Sequence, residues 1–154
     1  MRRGCFFLVG GLILAGLALF ALIQLIPFGK TYTNPPVISE PAWDSPQTRE
    51  IAQRACFDCH SNETVWPWYS RVAPMSWLVA RDVNEGREKL NFSEWPPREM
   101  DELDELIEVV QEGEMPMPIY LPLHPEANLS TAEKQTLIEG FRRTFQITGA
   151  EHDD

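Results

Sequence analysis

The chain has 154 residues, which suits one domain, and carries 13 basic and 23 acidic side chains, a formal net charge of −10. All the acidic residues follow position 39, so the part after residue 30 holds ten basic against 23 acidic side chains, a net charge of −13. This balance excludes a nucleic-acid binder, because phosphate contacts need Lys and Arg, and it favours association with a basic partner.

The N-terminal segment is apolar from Gly4 to Phe28 and follows two arginines. As a helix this run would be roughly 37 Å long, and a bilayer core is roughly 30 Å thick. A cleaved signal peptide is the alternative, but its apolar region is usually about 7–15 residues and ends at a small-residue cleavage site. We therefore expect residues 1–29 to be a membrane anchor, embedded through residues 4–28. The positive-inside rule then places the N-terminus in the cytoplasm and the rest outside it.

A proline-rich linker is predicted at residues 30–44, because this segment has no helical period. The domain that follows is predicted at residues 45–148. Ser45 and Pro46 predict the N-terminus of its first helix, whose apolar face continues into residues 56–60. A second helix should follow Pro74.

The third helix should open at Pro97 and end at Gly113, with an apolar stripe among its acidic residues. A capping box at Ser130–Glu133 opens the last helix, and residues 149–154 form an acidic tail. No alternating strand pattern is present, so the fold class is all-α. Short helices joined by long proline-rich loops bury a modest core, which leaves room for a large flat apolar cofactor.

The most informative stretch reads CFDCH at residues 56–60, and on a helix Cys56, Cys59 and His60 share one face. Two thiols on one face can add to the vinyl groups of a haem, and the adjacent imidazole can reach the iron. A zinc site normally needs four ligands, yet the third cysteine, Cys5, lies in the apolar run. A redox dithiol needs a strand–helix unit, and a structural disulfide is the remaining alternative. The pattern favours covalent haem c.

The iron of an electron carrier needs a second axial ligand, commonly Met or His. The segment GEMPMPIY places Met115 in an irregular, proline-stiffened loop 55 residues after His60. Met115 is the preferred ligand, and Met117 and His124 are the alternatives. Packing of the loop methionines against the haem edge, without ligation, is also open.

Five stretches, NPPV, ACFDCHSNETVWPWYSRVAP, NFSEW, GEMPMPIY and LHPEANLS, give the chain its resemblance to a family. From about residue 34 to 145 it resembles small bacterial haem-binding domain proteins related to class I cytochromes c. The resemblance implies a cytochrome c-like bundle around one haem per chain, bound covalently at Cys56 and Cys59. It implies His60 as the proximal iron ligand, and a methionine–proline pair at Met115 and Pro116 on the other side.

Neighbours of the haem follow from the same resemblance. A proline carbonyl after the motif should accept a hydrogen bond from the proximal histidine, with Pro74 preferred and Pro67 as the alternative. Several aromatic side chains either line the haem or form ordinary core: Trp66, Trp68, Tyr69, Trp95 and Tyr120.

The expected function is that of a membrane-anchored c-type cytochrome that carries single electrons on the periplasmic side of a bacterial inner membrane. Its partners would be membrane or periplasmic redox proteins, and it would not be an enzyme. The first alternative is a sensor that binds a small gas when a weak Met ligand leaves. A haem peroxidase is the second, but no distal acid–base pair is evident in the sequence.

Overall fold

The computed structural model describes residues 2–29, 32–96 and 102–150, except for the side chains of 2–7, 102–104 and 146–150. Six α-helices occur in this part of the chain: α1 (Arg2–Ile23), α2 (Pro46–Ala55), α3 (Phe57–His60), α4 (Met75–Lys89), α5 (Glu102–Glu112) and α6 (Thr131–Ala150). Three 3-10 helices span Trp68–Arg71, Leu121–Leu123 and Pro125–Ala127. No strand occurs among these residues beyond one isolated bridge, so the predicted all-helical fold is confirmed.

The N-terminal helix differs from its prediction. Helix α1 ends at Ile23, before the apolar run does, and turns follow in which Leu25 and Ile26 donate to Leu22 and Ile23. Among the helices that the structure describes, none combines the length and the apolar character needed to cross a membrane. The prediction of a transmembrane helix through residues 4–28 is corrected accordingly.

The chain divides into two compact units, the first comprising Met1–Thr33 and Trp66–Asp82, the second Asn34–Val65 and Val83–Asp154. Within the first unit, the Gln24 amide donates to the carbonyl oxygen of Ala73 at 3.1 Å and accepts from its N–H at 3.0 Å. The hydroxyl of Tyr32 donates to the carbonyl of Ser70 at 3.0 Å. Side chains that bind backbone therefore hold the segments of this unit together.

The second unit is a bundle in which α2 packs on α3 and α6, and α5 packs on α6. Phe57, Phe92 and Phe141 are almost fully buried in its core, and Phe92 stacks on the other two at centroid distances of 5.6 and 6.0 Å. A Cβ at Gly140 would overlap Thr48, so α2 and α6 can approach this closely only with glycine there. Aromatic side chains of the chain itself fill this core. The sequence instead predicts a modest core with room for a cofactor.

The helix ends follow the sequence signals. The side chain of Ser45 accepts from the N–H of Thr48 at 3.2 Å, as an N-cap should, and Gly113 follows α5 with a φ of 79°. Ser130 and Glu133 form the predicted capping box, with hydrogen bonds of 2.8 and 3.3 Å. Pro97, the predicted start of the third helix, lies outside the described residues.

Residues 34–44 lie within the predicted linker, yet they contact the second unit, to which they belong. The backbone N–H groups of Ile38 and Ser39 donate to the carbonyl of Ser93 at 2.9 and 3.2 Å. Glu40 accepts two hydrogen bonds of 2.8 Å from the guanidinium of Arg49 on α2. This segment therefore packs beside the chain that carries the CFDCH motif.

Candidate functional site

The CFDCH motif begins where two helices meet. Helix α2 ends at Ala55, and Cys56 leaves helical geometry, with φ of −126° and ψ of −33°, before α3 begins at Phe57. The carbonyl of Cys56 accepts from the N–H of Cys59 at 3.2 Å and of His60 at 2.9 Å, so the motif is a single turn. The single continuous helix expected from the sequence is therefore broken at Cys56.

The two cysteines of this turn are not joined by a disulfide. Burial raises the pKa of the Cys56 thiol to about 12, and the neighbouring Cys59 adds to the shift. Cys56 also packs against the hydrophobic core cluster of the second unit. The structural-disulfide alternative gains no support, and Cys56 stays a protonated thiol at neutral pH.

His60 is oriented by a backbone carbonyl. Its Nδ1 atom lies 3.1 Å from the carbonyl oxygen of Leu90. A carbonyl only accepts, so Nδ1 carries the proton and Nε2 carries the lone pair. Burial lowers the pKa of His60, and its hydrogen bonds to the Leu90 and Gly86 carbonyls offset part of that shift. The ring is therefore neutral and in the tautomer that binds a metal through Nε2.

This geometry corrects one predicted residue. The carbonyl that accepts from the histidine belongs to Leu90, just after α4, and not to Pro74 or its alternative Pro67. Leu90 is reached because α4 lies directly against the motif: a Cβ on Gly86 would sit 2.5 Å from the carbonyl oxygen of Cys59. Only glycine allows this close approach, and no local sequence signal marks it.

A cluster of polar side chains encloses the turn after His60. Asn62 is 3% exposed; its Nδ2 donates to the Pro36 carbonyl at 3.0 Å and to Glu94 at 3.1 Å, and its Oδ1 accepts from Asn91 at 2.9 Å. The carbonyl of His60 accepts from the N–H of Phe92 at 2.8 Å. Three separate segments are therefore joined around the histidine.

Arg87, on α4, adds a second set of bonds to the same turn. Its Nε donates to the carbonyl of Ser61 at 2.8 Å, and one terminal nitrogen donates to Thr64 at 2.9 Å and to Asn34 at 3.1 Å. Thr64 in turn donates to the carbonyl of Asp58 at 2.8 Å. These residues and Asn62 hold the turn of the motif in its conformation. No sequence pattern predicted a role for any of them.

The loop that carries the candidate methionines is tied to the motif. The hydroxyl of Tyr120 donates to Oδ2 of Asp58 at 2.7 Å, and the N–H of Tyr120 donates to the carbonyl of Met117 at 2.9 Å. Met115 packs against the core cluster that Cys56 also contacts, and its N–H donates to Val109 at 3.0 Å. Both methionines are half-buried.

His124, the other candidate ligand, is 8% exposed and stacks on Tyr120 with ring centroids 3.8 Å apart. Its Nδ1 lies 3.3 Å from a carboxylate oxygen of Glu126. The ring is therefore engaged on one face and at one nitrogen by its own loop.

Five predicted residues belong to the first unit: Trp66, Pro67, Trp68, Tyr69 and Pro74. Trp66 meets Tyr32 edge to face at 5.6 Å, and Trp68 meets Tyr69 at 5.8 Å. Trp68 is 78% exposed, and Pro74 immediately precedes α4. In the second unit, the contacts between predicted site residues include those of Cys56, Cys59 and His60 within the turn. They also include those of Tyr120 with Met117 and His124 within its own loop.

The chain matches the haem-binding domain family over residues 18–143, most of its length. It belongs to the haem-binding domain family. No curated protein and no solved structure matches the chain. Family membership supports haem as the cofactor.

The residues of this haem-binding domain are chemically suited to hold haem. Among the described residues, no cluster of three or more His, Cys, Asp or Glu side chains could hold a bare metal ion, whereas an unbridged pair of thiols beside a neutral imidazole suits haem. Trp95 Nε1 is buried and makes no hydrogen bond in the described part of the chain. Because Trp95 belongs to the cluster that Cys56 and Met115 contact, its N–H suits an acceptor on a bound group.

Proposed function

We propose that this protein is a c-type cytochrome that carries single electrons, with one haem attached at Cys56 and Cys59 and ligated by His60. The observation that carries the proposal is the His60 imidazole, held at Nδ1 by the Leu90 carbonyl one residue after an unbridged pair of thiols. Bound haem supplies an iron that cycles between Fe(III) and Fe(II).

In this proposal the chain holds the haem and orients the side chains that ligate its iron. The Leu90 carbonyl fixes the ring and raises the basicity of Nε2 as a ligand. Met115 is the proposed second ligand, because it packs against the same core cluster as Cys56. Its thioether is a soft ligand that favours a high reduction potential. If His60 and Met115 both ligated the iron, no open position would remain for a substrate, which favours a carrier over an enzyme.

The proposed location of the haem domain is extracytoplasmic, on the periplasmic side of a bacterium. Two arginines followed by an apolar run form the pattern of an export segment. Cleavage of the domain by a protease added to cells with a permeabilised outer membrane would support this location. Protection from the protease until the inner membrane is lysed would contradict it.

The proposed partner is a redox protein with a basic docking surface, because the chain carries a net charge of −10. Oxidation of the reduced protein by a cationic cobalt complex should slow as ionic strength rises, and oxidation by ferricyanide should accelerate. Equal salt dependence with both reagents would contradict a negatively charged surface near the haem.

The covalent haem is tested by a pyridine haemochrome spectrum of the purified protein. Wild-type protein should show the absorption of two thioethers, and its haem should stay in the aqueous phase after extraction with acidified organic solvent. Replacing both Cys56 and Cys59 by alanine should make the haem extractable, and Cys5→Ala, the matched cysteine control, should not. Extractable haem in the wild-type protein would refute covalent attachment. Avid binding of CO by the reduced wild-type protein would instead favour the gas sensor.

A further inference from the structure

The carboxylate of Asp58 lies inside the CFDCH motif and joins two other segments. Its Oδ1 accepts from the N–H of Val65 at 2.8 Å, and its Oδ2 accepts from the hydroxyl of Tyr120 at 2.7 Å. The first bond stays within the turn that follows the motif. The second reaches 62 residues along the chain, to the loop that carries Met115 and Met117.

Tyr120 is also bound within its own loop. Its N–H donates to the carbonyl of Met117 at 2.9 Å, and its ring lies flat on His124, with an interplanar angle of 9°. Flat stacking restrains rotation of the ring, so the hydroxyl keeps its direction towards Asp58. The hydroxyl of Tyr120 therefore fastens the segment from Met117 to His124 to the motif.

We infer that Tyr120 is a positioning residue for the second iron ligand: its bond to Asp58 holds the methionine loop against the turn that binds the haem. The inference rests on the proposed function, because it concerns ligation of the haem iron by that loop. Without the bond, the loop would open more often, and an added ligand would reach the iron more easily. A hydrogen bond to a carboxylate is strong enough to shift such an opening equilibrium about tenfold.

The test compares Tyr120→Phe with Tyr32→Phe in the full-length holoprotein. The control variant also removes one tyrosine hydroxyl, which in the wild-type protein donates to the carbonyl of Ser70 at 3.0 Å. Two rates are measured: amide hydrogen exchange in residues 115–124, and CO binding to the reduced haem. Tyr120→Phe should accelerate both about tenfold, and Tyr32→Phe should change neither. Unchanged rates in Tyr120→Phe would overturn the inference, as would faster exchange without faster CO binding.

A double-mutant cycle shows whether Tyr120 acts through Asp58. In an Asp58→Ala background, Tyr120→Phe should change either rate by less than about twofold, because the partner is already gone. A full tenfold effect in that background would overturn the inference. Asp58→Asn, which keeps an acceptor oxygen, is the milder variant and should fall between wild type and Asp58→Ala. If wild-type haem proves extractable, the proposed function fails, and the exchange rates still decide whether the hydroxyl holds the loop.

Discussion

The Nδ1 atom of His60 lies 3.1 Å from the carbonyl oxygen of Leu90, 30 residues further along the chain. The bond forms because α4 runs against the CFDCH turn and presents its C-terminal end to the ring. A helix C-terminus has carbonyl groups without helical partners, so the imidazole N–H satisfies one of them. The same contact sets the tautomer that ligation requires, which links the end of one helix to the chemistry of the site.

The close approach of α4 makes Gly86→Ala a sharp test. Alanine usually stabilises a helix interior relative to glycine by about 1 kcal/mol, but here its Cβ would sit 2.5 Å from the Cys59 carbonyl. We expect the free energy of unfolding, measured with denaturant, to fall by about 1–3 kcal/mol. The reduction potential should also shift as the Leu90 carbonyl moves away from His60.

Gly16→Ala is the matched control for that variant. It also lies within a helix, and nothing occupies the space within 4 Å of its Cβ position. The free energy of unfolding should stay constant or rise by up to about 1 kcal/mol. If Gly86→Ala behaved in the same way, α4 could not lie as close to the motif as the structure places it.

Asn62→Ala tests the polar cluster around the histidine. The buried side chain of Asn62 would lose its three hydrogen bonds, to the Pro36 carbonyl, to Asn91 and to Glu94. We expect the free energy of unfolding to fall by about 2–4 kcal/mol in a denaturant titration. Asn84→Ala, on the exposed face of α4, should cost less than about 0.5 kcal/mol. Equal losses in the two variants would show that the cluster does not stabilise the fold.

The predictions from sequence that hold are the local ones. Ser45, Gly113 and the Ser130–Glu133 box act within one helical turn, so neighbouring residues decide them and the pattern shows them. The haem-binding role of the CFDCH cysteines and histidine, inferred from their spacing, stays a prediction.

The remaining features depend on segments that meet only in the folded chain. Leu90 reaches His60 across 30 residues, and Tyr120 reaches Asp58 across 62, so no local pattern predicts either bond. The prediction of the Pro74 carbonyl was wrong because it was inferred from position in the sequence, whereas the packing of α4 determines which carbonyl reaches the histidine. The anchor prediction through residues 4–28 relied on the length of the apolar run, whereas helix α1 ends at Ile23.

Glu40 gives a prediction about pH. The Arg49 guanidinium, through its hydrogen bonds, holds the pKa of the Glu40 carboxyl below its usual value of 4.5. The folded state therefore releases this proton more readily than the unfolded state, so the stabilisation is present above about pH 4.5 and is lost as pH falls through the folded pKa. Because both groups are partly exposed, Glu40→Gln should cost about 0.5–1 kcal/mol at pH 7 and nearly nothing at pH 2.

The measurement for Glu40 is the free energy of unfolding by urea at the two pH values. Glu50→Gln, on the exposed side of α2, is the control and should change that free energy by less than about 0.5 kcal/mol at pH 7. A loss in Glu40→Gln that is equally large at both pH values would mean that the ion pair contributes no pH-dependent stability. Residues 34–44 would then be held by their backbone bonds to Ser93 and by the packing of Trp43.

Met115 and Met117 differ in what surrounds them, and this difference predicts the second iron ligand. Met115 packs on the core cluster with Cys56, whereas the Met117 carbonyl caps the turn that carries Tyr120. Met115→Ala should therefore abolish the Met-to-iron absorption band of the oxidised protein. It should also lower the reduction potential by a sizeable part of the roughly 0.8 V that axial ligation spans. Met117→Ala, the matched control one proline away, should keep the band. Loss of the band in Met117→Ala alone would assign the ligand to Met117. If the wild-type protein shows no such band, and His124→Ala loses the six-coordinate spectrum, the ligand is His124.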